Sequence, residues 1–312
     1  MKTVLLLGGF GFLGTNIVKH VDGDRCLFDR YRFIVFDRIN EHPHKIKFLS
    51  VEKIYAGDFS DETCLEQIFE ENNIDLVIHS LSSTVPSTSQ NARYDVETNL
   101  VPTLNLLSIM DRYGTKDIVY LSSGGAIYGD VLEKVHNEED AVYPKSSYGV
   151  IKLTIEKYLL SYSELYGFKT LILRVSNPFG KYHFNNKQGV INIALRKAIN
   201  NETLNIWGTG DGVKDYIYVE DLCSILFRLI DAGVESDVYN VGGGQALSVN
   251  EIFTRIKKIK PSFECKHIEE SLLDVQSFEL DITKLRRKIG KLSFRSFEEA
   301  LVETYKWQQE QI

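Results

Sequence analysis

Short apolar runs alternate with longer periodic segments through the first 175 residues. The runs at 3–7, 32–37, 53–56, 75–80, 117–122 and 170–175 predict strands, several of them apolar on both faces. Strands of that kind belong to a parallel sheet covered by helices on both sides. Between them, the patterns over 11–21, 61–72, 96–113 and 148–166 predict helices. Strands alternating with helices make a doubly wound, Rossmann-type α/β sheet the expected fold. Beyond Arg174 the pattern loosens: a loop over 177–189, a helix over 190–200, a short strand over 204–207 and a turn at Gly208-Thr209-Gly210-Asp211-Gly212. Residues 215–219 then lead into a helix over 220–231, and a strand over 239–241 stops at three glycines. Ser296-Phe297-Glu298-Glu299 is a capping box that opens the last helix. The expected organisation is a large domain over 1–176, to which the chain returns around 217–241. A smaller mixed α/β region from 177–216 and 242–312 is expected to close over the sheet edge.

Charge narrows the possible partners. The 36 Lys and Arg residues are outnumbered by 43 Asp and Glu, a net charge of −7, which argues against nucleic acid as a partner. The longest basic run, Arg286-Arg287-Lys288, reads as a solvated helix face. Cys26, Cys64, Cys223 and Cys265 are scattered without Cys-x-x-Cys spacing and read as reduced thiols. His42 and His44 flank a proline in a polar stretch and read as loop, so no metal site is expected. Val4–Leu7 after Lys2 imitates the start of a signal peptide, but the run enters glycines instead of a small-residue cleavage site. No stretch reaches the roughly 18 apolar residues of a membrane span. A soluble, cytoplasmic protein is expected.

The glycines carry the first chemistry. Gly8-Gly9-Phe10-Gly11-Phe12-Leu13-Gly14 joins the first strand to the first helix. Glycine suits a tight turn and lets the backbone approach a pyrophosphate at the free N–H groups of a helix start. Asp37 closes the second strand, 23 residues beyond Gly14, where a carboxylate accepts ribose hydroxyls and repels a 2′-phosphate. NAD is therefore preferred to NADP, although Arg38 beside it softens the choice. Asp58 and Phe59 follow the third strand, where an acid and an apolar residue can bracket an adenine.

Tyr148 and Lys152 stand at i and i+4, one turn apart on one helix face. An unperturbed phenol titrates near 10 and is a poor base at neutral pH. A neighbouring ammonium, reinforced by the positive nicotinamide, is expected to favour the phenolate and lower that value. Upstream, Ser122-Ser123-Gly124-Gly125 ends an apolar strand, and the carboxyl ends of strands are where ligands bind in open α/β sheets.

Together with Asn99, Arg174–Gly180, Trp207–Asp221 and Tyr239–Gly243, these segments resemble the extended short-chain dehydrogenase/reductases, specifically the NAD-dependent epimerase/dehydratase family acting on nucleotide sugars. The likeness is to its UDP-glucose (UDP-galactose) 4-epimerases and covers nearly the whole chain. It implies Tyr148, Lys152 and a hydroxyl, assigned to Ser123 over Ser122, as catalytic. It implies NAD held by Gly8, Gly11, Phe12, Leu13, Gly14, Asp37, Asp58, Phe59, Leu81, Ser82, Asn99, Tyr148 and Lys152. It further implies a nucleotide sugar met by Thr84, Ser123, Asn177, Val190 and Lys214, and a homodimer built on the 148–166 helix. Family dehydratases carry an Asp-Glu pair just before Tyr-Gly, whereas this chain has Gly125 and Ala126. C4 epimerisation of a UDP-hexose is therefore expected, with a 4-ketoreductase or a non-catalytic NAD-binding regulator as alternatives. Two family arginines are replaced, by Lys214 and within Glu270–Leu273 (at Ser271), with Lys181 and Lys187 as candidate compensating cations.

Overall fold

The computed structural model describes residues 1–84, 91–129, 135–186, 188–269 and 277–311. Its main sheet contains β1 (Lys2–Leu7), β2 (Tyr31–Asp37), β3 (Val51–Ala56), β4 (Leu76–His79), β5 (Asp117–Ser123), β6 (Lys169–Val175) and β7 (Asp237–Val241). The order is β7-β6-β5-β4-β1-β2-β3, so the winding reverses between β1 and β4. In doubly wound sheets this reversal opens the ligand crevice at the carboxyl ends of the strands. The central strand β1 pairs in parallel with both β2 and β4. Its residues Val4–Leu7 are fully buried, which is why the run is apolar without alternation.

Four helices of the first half matter for the site: α1 (Phe12–Gly23), α2 (Glu62–Glu71), α3 (Val101–Arg112) and α4 (Ser147–Tyr166). The inward face of α1 is Gly14, Ile17, Val18 and Val21, the i, i+3, i+4, i+7 stripe of a helix on a sheet. The helix expected over 96–113 is instead three pieces: Ala92–Asp95, one π turn at Val96–Leu100, and α3. Pro102 explains the break. It has no N–H to offer the Thr98 carbonyl four residues back, and that carbonyl accepts the Ser83 hydroxyl at 3.1 Å instead.

The chain divides into two compact units, the first of residues 1–123, 146–174 and 226–239, the second of 124–145, 175–225 and 240–312. Residues 124–145, grouped with the first domain by the sequence pattern, pack with the second unit. There, Asn177–Phe179 forms a short strand where a loop was expected, paired in parallel with Tyr216–Tyr218. It is an edge strand of its three-stranded sheet, a place where Pro178 is tolerated. Helices α5 (Val190–Ile199), α6 (Val249–Ile259) and α7 (Phe297–Gln309) share a core that includes Leu195, Ile252 and Leu301. Both α6 and α7 begin with a complete capping box, at Ser248/Glu251 and Ser296/Glu299; the sequence pattern had revealed the second alone.

His42 lies in the loop after β2, as expected, but not in water. It is buried beside Phe10 and Phe48, its Nε2 lies 3.2 Å from Thr15 Oγ1, and burial pushes it down to about 4. All four cysteines are free. Among the described residues no helix is long and apolar enough to cross a membrane, and no cluster of acidic, His or Cys side chains is arranged to hold a metal.

Candidate active site

Strand alternation turns the two serines at the end of β5 to opposite faces. Ser122 is buried, and its hydroxyl has no hydrogen-bond partner among the described residues. Ser123 faces the other way, half-buried, and hydrogen-bonds the Tyr148 phenol. Ser146 caps α4 by accepting the Gly149 N–H at 3.2 Å, which sets Tyr148 in the first turn. One turn on, Lys152 is 6% exposed; its Nζ donates to the Leu121 carbonyl at 2.9 Å and lies 5.8 Å from the Tyr148 ring centre.

The electrostatics differ from the sequence expectation. Burial pushes the Tyr148 hydroxyl up to about 12, and the bond from Ser123 is what opposes the rise. Burial also pushes Lys152 down to about 8, opposed by the Glu156 carboxylate one further turn along α4. Desolvation therefore outweighs the pull of the ammonium on the phenol, because both groups sit where ionic forms lose hydration.

A small cavity brings several expected residues together: Leu81, Ser82, Thr84 and Asn99 line it with Tyr148 and Lys152. Asn99, in the π turn, accepts the Ser83 N–H at 2.8 Å and donates to the Asp95 carbonyl at 3.2 Å, so it anchors the loop after β4. His79 and Tyr120 also line this cavity and were not singled out from sequence. Each carries a buried atom, Nδ1 and the phenol oxygen, without a partner among the described residues.

The glycine turn lies beside it. Gly8 adopts φ +80° against Leu81, where a Cβ would stand 3.1 Å from the Leu81 Cα. A Cβ on Gly14 would stand 2.2 Å from the Gly8 carbonyl oxygen. The first turn of α1 has neither a side-chain cap nor an acidic residue, so none of its side chains offsets the positive end of the helix. Asp37 accepts the Phe10 N–H at 2.9 Å and the Arg38 N–H at 2.8 Å, which ties the end of β2 to the turn. Phe59 requires a correction. Its ring is buried, packed with Phe36 and edge-on to His79, so it belongs to the core and cannot bracket an adenine. Asp58 is exposed, with Oδ1 engaged by Ser60.

Residues 4–242 match the NAD-dependent epimerase/dehydratase family. The chain belongs to that family. It is 32% identical over 256 residues, 81% of each chain, to a Methanocaldococcus jannaschii protein named "Putative UDP-glucose 4-epimerase". It is similar throughout to the solved UDP-glucose 4-epimerase of Thermotoga maritima with UDP-glucose, at a TM-score of 0.90 and 28% identity over 99% of both chains. The Thermus thermophilus UDP-glucose 4-epimerase in complex with NAD superposes at 0.89, with 25% identity over 99% of this chain and 100% of that one. The protein is an NAD-dependent epimerase of this family, with sugar-nucleotide epimerase/dehydratase activity. Its residues fit the cofactor: the glycine cradle excludes side chains, the α1 amides are uncapped, and each Asp37 oxygen keeps a lone pair for a ribose hydroxyl.

Asn177, Val190 and Lys214, also expected to meet the substrate, lie in the second unit of this epimerase. Asn177 Nδ2 donates to the Asp215 carbonyl at 3.2 Å, Val190 begins α5, and Lys214 is half-buried on the strand Val213–Tyr218. Lys181 is committed to Glu220 and Glu303 and is no spare cation. Lys187 and Ser271 lie outside the described residues. Beside Lys214, fully buried Asp215 accepts the Gly243 N–H at 2.9 Å and the Leu280 N–H at 3.3 Å, and burial pushes it up to about 7. The unfolded chain, ionising near 3.8, sheds this proton first. Asp215 thus makes stability fall as pH rises from about 4 to about 7. Asp215→Asn, which cannot titrate, is expected to gain in melting temperature relative to wild type across that window, checked by circular dichroism melts.

Proposed function

We propose that the enzyme interconverts the C4 epimers of a UDP-hexose through a 4-keto intermediate, with NAD retained from turnover to turnover. The observation that carries this reading is the Ser123–Tyr148–Lys152 cluster, with Ser123 followed in the chain by Gly124-Gly125-Ala126, a run without a carboxyl group. Elimination of a C6 hydroxyl needs an acid there, and a Cβ on Gly125 would already stand 2.9 Å from the Phe278 ring. Epimerisation needs less. Ser123 holds the C4 hydroxyl, and Tyr148 takes its proton as C4 loses hydride. The 4-keto sugar turns over, hydride returns to its other face, and Tyr148 gives the proton back. Bound NAD supplies the hydride acceptor and, when oxidised, a positive ring that favours the phenolate.

In this reading the first unit binds NAD. Gly8, Gly11, Phe12, Leu13 and Gly14 take the pyrophosphate and Asp37 the ribose. Asp58 meets the adenine, and Leu81, Ser82, Asn99, Tyr148 and Lys152 the nicotinamide half. Thr84, Ser123, Asn177, Val190 and Lys214 contact the nucleotide sugar. Purified protein incubated without added cofactor is expected to interconvert UDP-glucose and UDP-galactose, or their N-acetyl or uronate forms. No interconversion in any of these pairs would overturn the proposal, and turnover that depends on added NADPH would mark a 4-ketoreductase.

A cytoplasmic homodimer completes the proposal. Val150, Tyr158, Leu165 and Tyr166 are exposed on α4, as are Tyr94, Val96 and Val101 on the segment before and into α3. Exposed apolar side chains concentrated in this way suit a helix-on-helix contact between copies. Sedimentation equilibrium is expected to give a dimer at micromolar concentration; a monomer would exclude it.

A further inference from the structure

The reaction outlined above leaves two buried charges unused, Glu156 and Arg174. Tyr148, Lys152 and Glu156 follow one another at i, i+4 and i+8 along a single stripe of α4. The Glu156 side chain is 1% exposed and is gripped by Arg174 of β6, whose side chain is 5% exposed. The Arg174 Nε lies 3.2 and 3.1 Å from the two carboxylate oxygens, and Nη2 lies 2.8 Å from Oε2. A buried ion pair gives little net stability over apolar residues of similar volume, so stability is a poor reason for this one.

Lys152 supplies a better reason. Its Nζ donates to the Leu121 carbonyl and stands 4.7 Å from the Tyr120 ring centre, contacts that hold an ammonium without bringing a full negative charge. Tyr120 itself stays protonated, because burial and the nearby Tyr148 and Glu156 push its phenol well up. His79, on the same cavity wall, stays neutral, held down to about 3 by burial and by the Lys152 charge. Of these neighbours, Glu156 is the one that brings an anion, and its field opposes the discharge of the ammonium.

We propose that the Glu156–Arg174 pair is the counter-charge that keeps Lys152 an ammonium, with Arg174 fixing the carboxylate so that it faces α4 in one orientation. Glu156 and Arg174 are positioning residues in this scheme. With Tyr148 protonated, the row of ammonium, carboxylate and guanidinium sums to +1; an ionised phenol brings it to zero with alternating signs. Loss of the Tyr148 proton therefore neutralises a buried row. That consequence for turnover rests on Tyr148 acting as the base, whereas the charge of Lys152 can be read without any substrate.

The test is nuclear magnetic resonance titration of the Nζ groups in protein labelled with [15N]lysine, the Lys152 signal being the one lost in Lys152→Met. Removing one partner alone strands a buried charge, so the pair is replaced together, as Glu156→Leu/Arg174→Met. If that protein does not fold, Glu156→Gln/Arg174→Gln keeps a hydrogen-bonding pair of similar size. In the paired replacement the Lys152 midpoint is expected to fall by up to about one pH unit, less than a lone lost anion would give, because the Arg174 cation leaves with the carboxylate. Arg174→Lys, which keeps a cation on the carboxylate, is expected to hold it close to wild type. A midpoint unchanged in the paired replacement would overturn the proposal. Wild-type protein that turns over no sugar nucleotide yet shows the shift would sink the epimerase reading and leave this one standing.

Discussion

Replacing Tyr148 with phenylalanine is expected to lower kcat about 10²- to 10⁴-fold, the range a positioned acid–base group contributes. The ring survives the substitution, so Lys152 keeps its donation to Leu121 and the cavity keeps its wall. Binding of the nucleotide sugar then changes little, and the loss falls on kcat with KM near wild type. Ser123 loses its partner and can still hold a sugar hydroxyl, so Ser123→Ala is expected to cost less than Tyr148→Phe. The wild-type pH profile follows from the same groups. Burial holds the phenol up to about 12, so activity is expected to climb with pH through neutrality as the small phenolate fraction grows. It should fall again once Lys152, already drawn down to about 8, loses its charge. Steady-state kinetics on the interconverting sugar pair, with NAD content measured on the same preparation, checks both statements. A Tyr148→Phe enzyme within about tenfold of wild-type kcat would assign the base to another group.

Much of this arrangement is legible in the residues because its causes are local. Val4–Leu7 reads as a buried parallel strand since both its faces must be apolar. The glycines read as a turn since a side chain at Gly14 collides with a backbone oxygen in the same loop. Tyr148 and Lys152 read as neighbours since four residues make one helical turn. What the pattern hides depends on partners distant in the chain. The π turn exists because Ser83 can serve a carbonyl that Pro102 abandons, and the serine lies 15 residues away from Thr98. Phe59 resembles an adenine contact until its ring is seen packed against Phe36 and His79. Glu156 is spaced one turn beyond Lys152, a legible sign, yet its meaning depends on Arg174 coming from β6. Spacing shows the ammonium beside Tyr148, whereas the burial that raises its phenol in the protein without cofactor is a property of the folded chain.

Two glycines of one helix give the sharpest test of the cofactor turn. In Gly14→Ala the new methyl would stand 2.2 Å from the Gly8 oxygen and 2.6 Å from the Gly9 Cα, and both neighbours are backbone. Backbone cannot rotate aside as a flexible side chain does, so α1 must move away from β1 or the turn must open. Overpacking of this kind costs about 1–3 kcal/mol. Either movement displaces the α1 amides from the place where the pyrophosphate is proposed to sit, so the loss should appear in NAD affinity as well as in melting temperature. Affinity is expected to fall about 5- to 150-fold, the same free energy expressed as a binding ratio. Gly23→Ala, at the other end of α1, meets nothing within 4 Å. It removes a flexible residue from a helix end and is expected to raise stability by about 0.4–1 kcal/mol with NAD affinity unchanged. NAD released on acid denaturation, thermal melts and calorimetric titration on the two variants separate the effects. Equal NAD retention in both proteins would show that the turn does not hold the dinucleotide, since the two substitutions differ in whether a side chain fits the cradle.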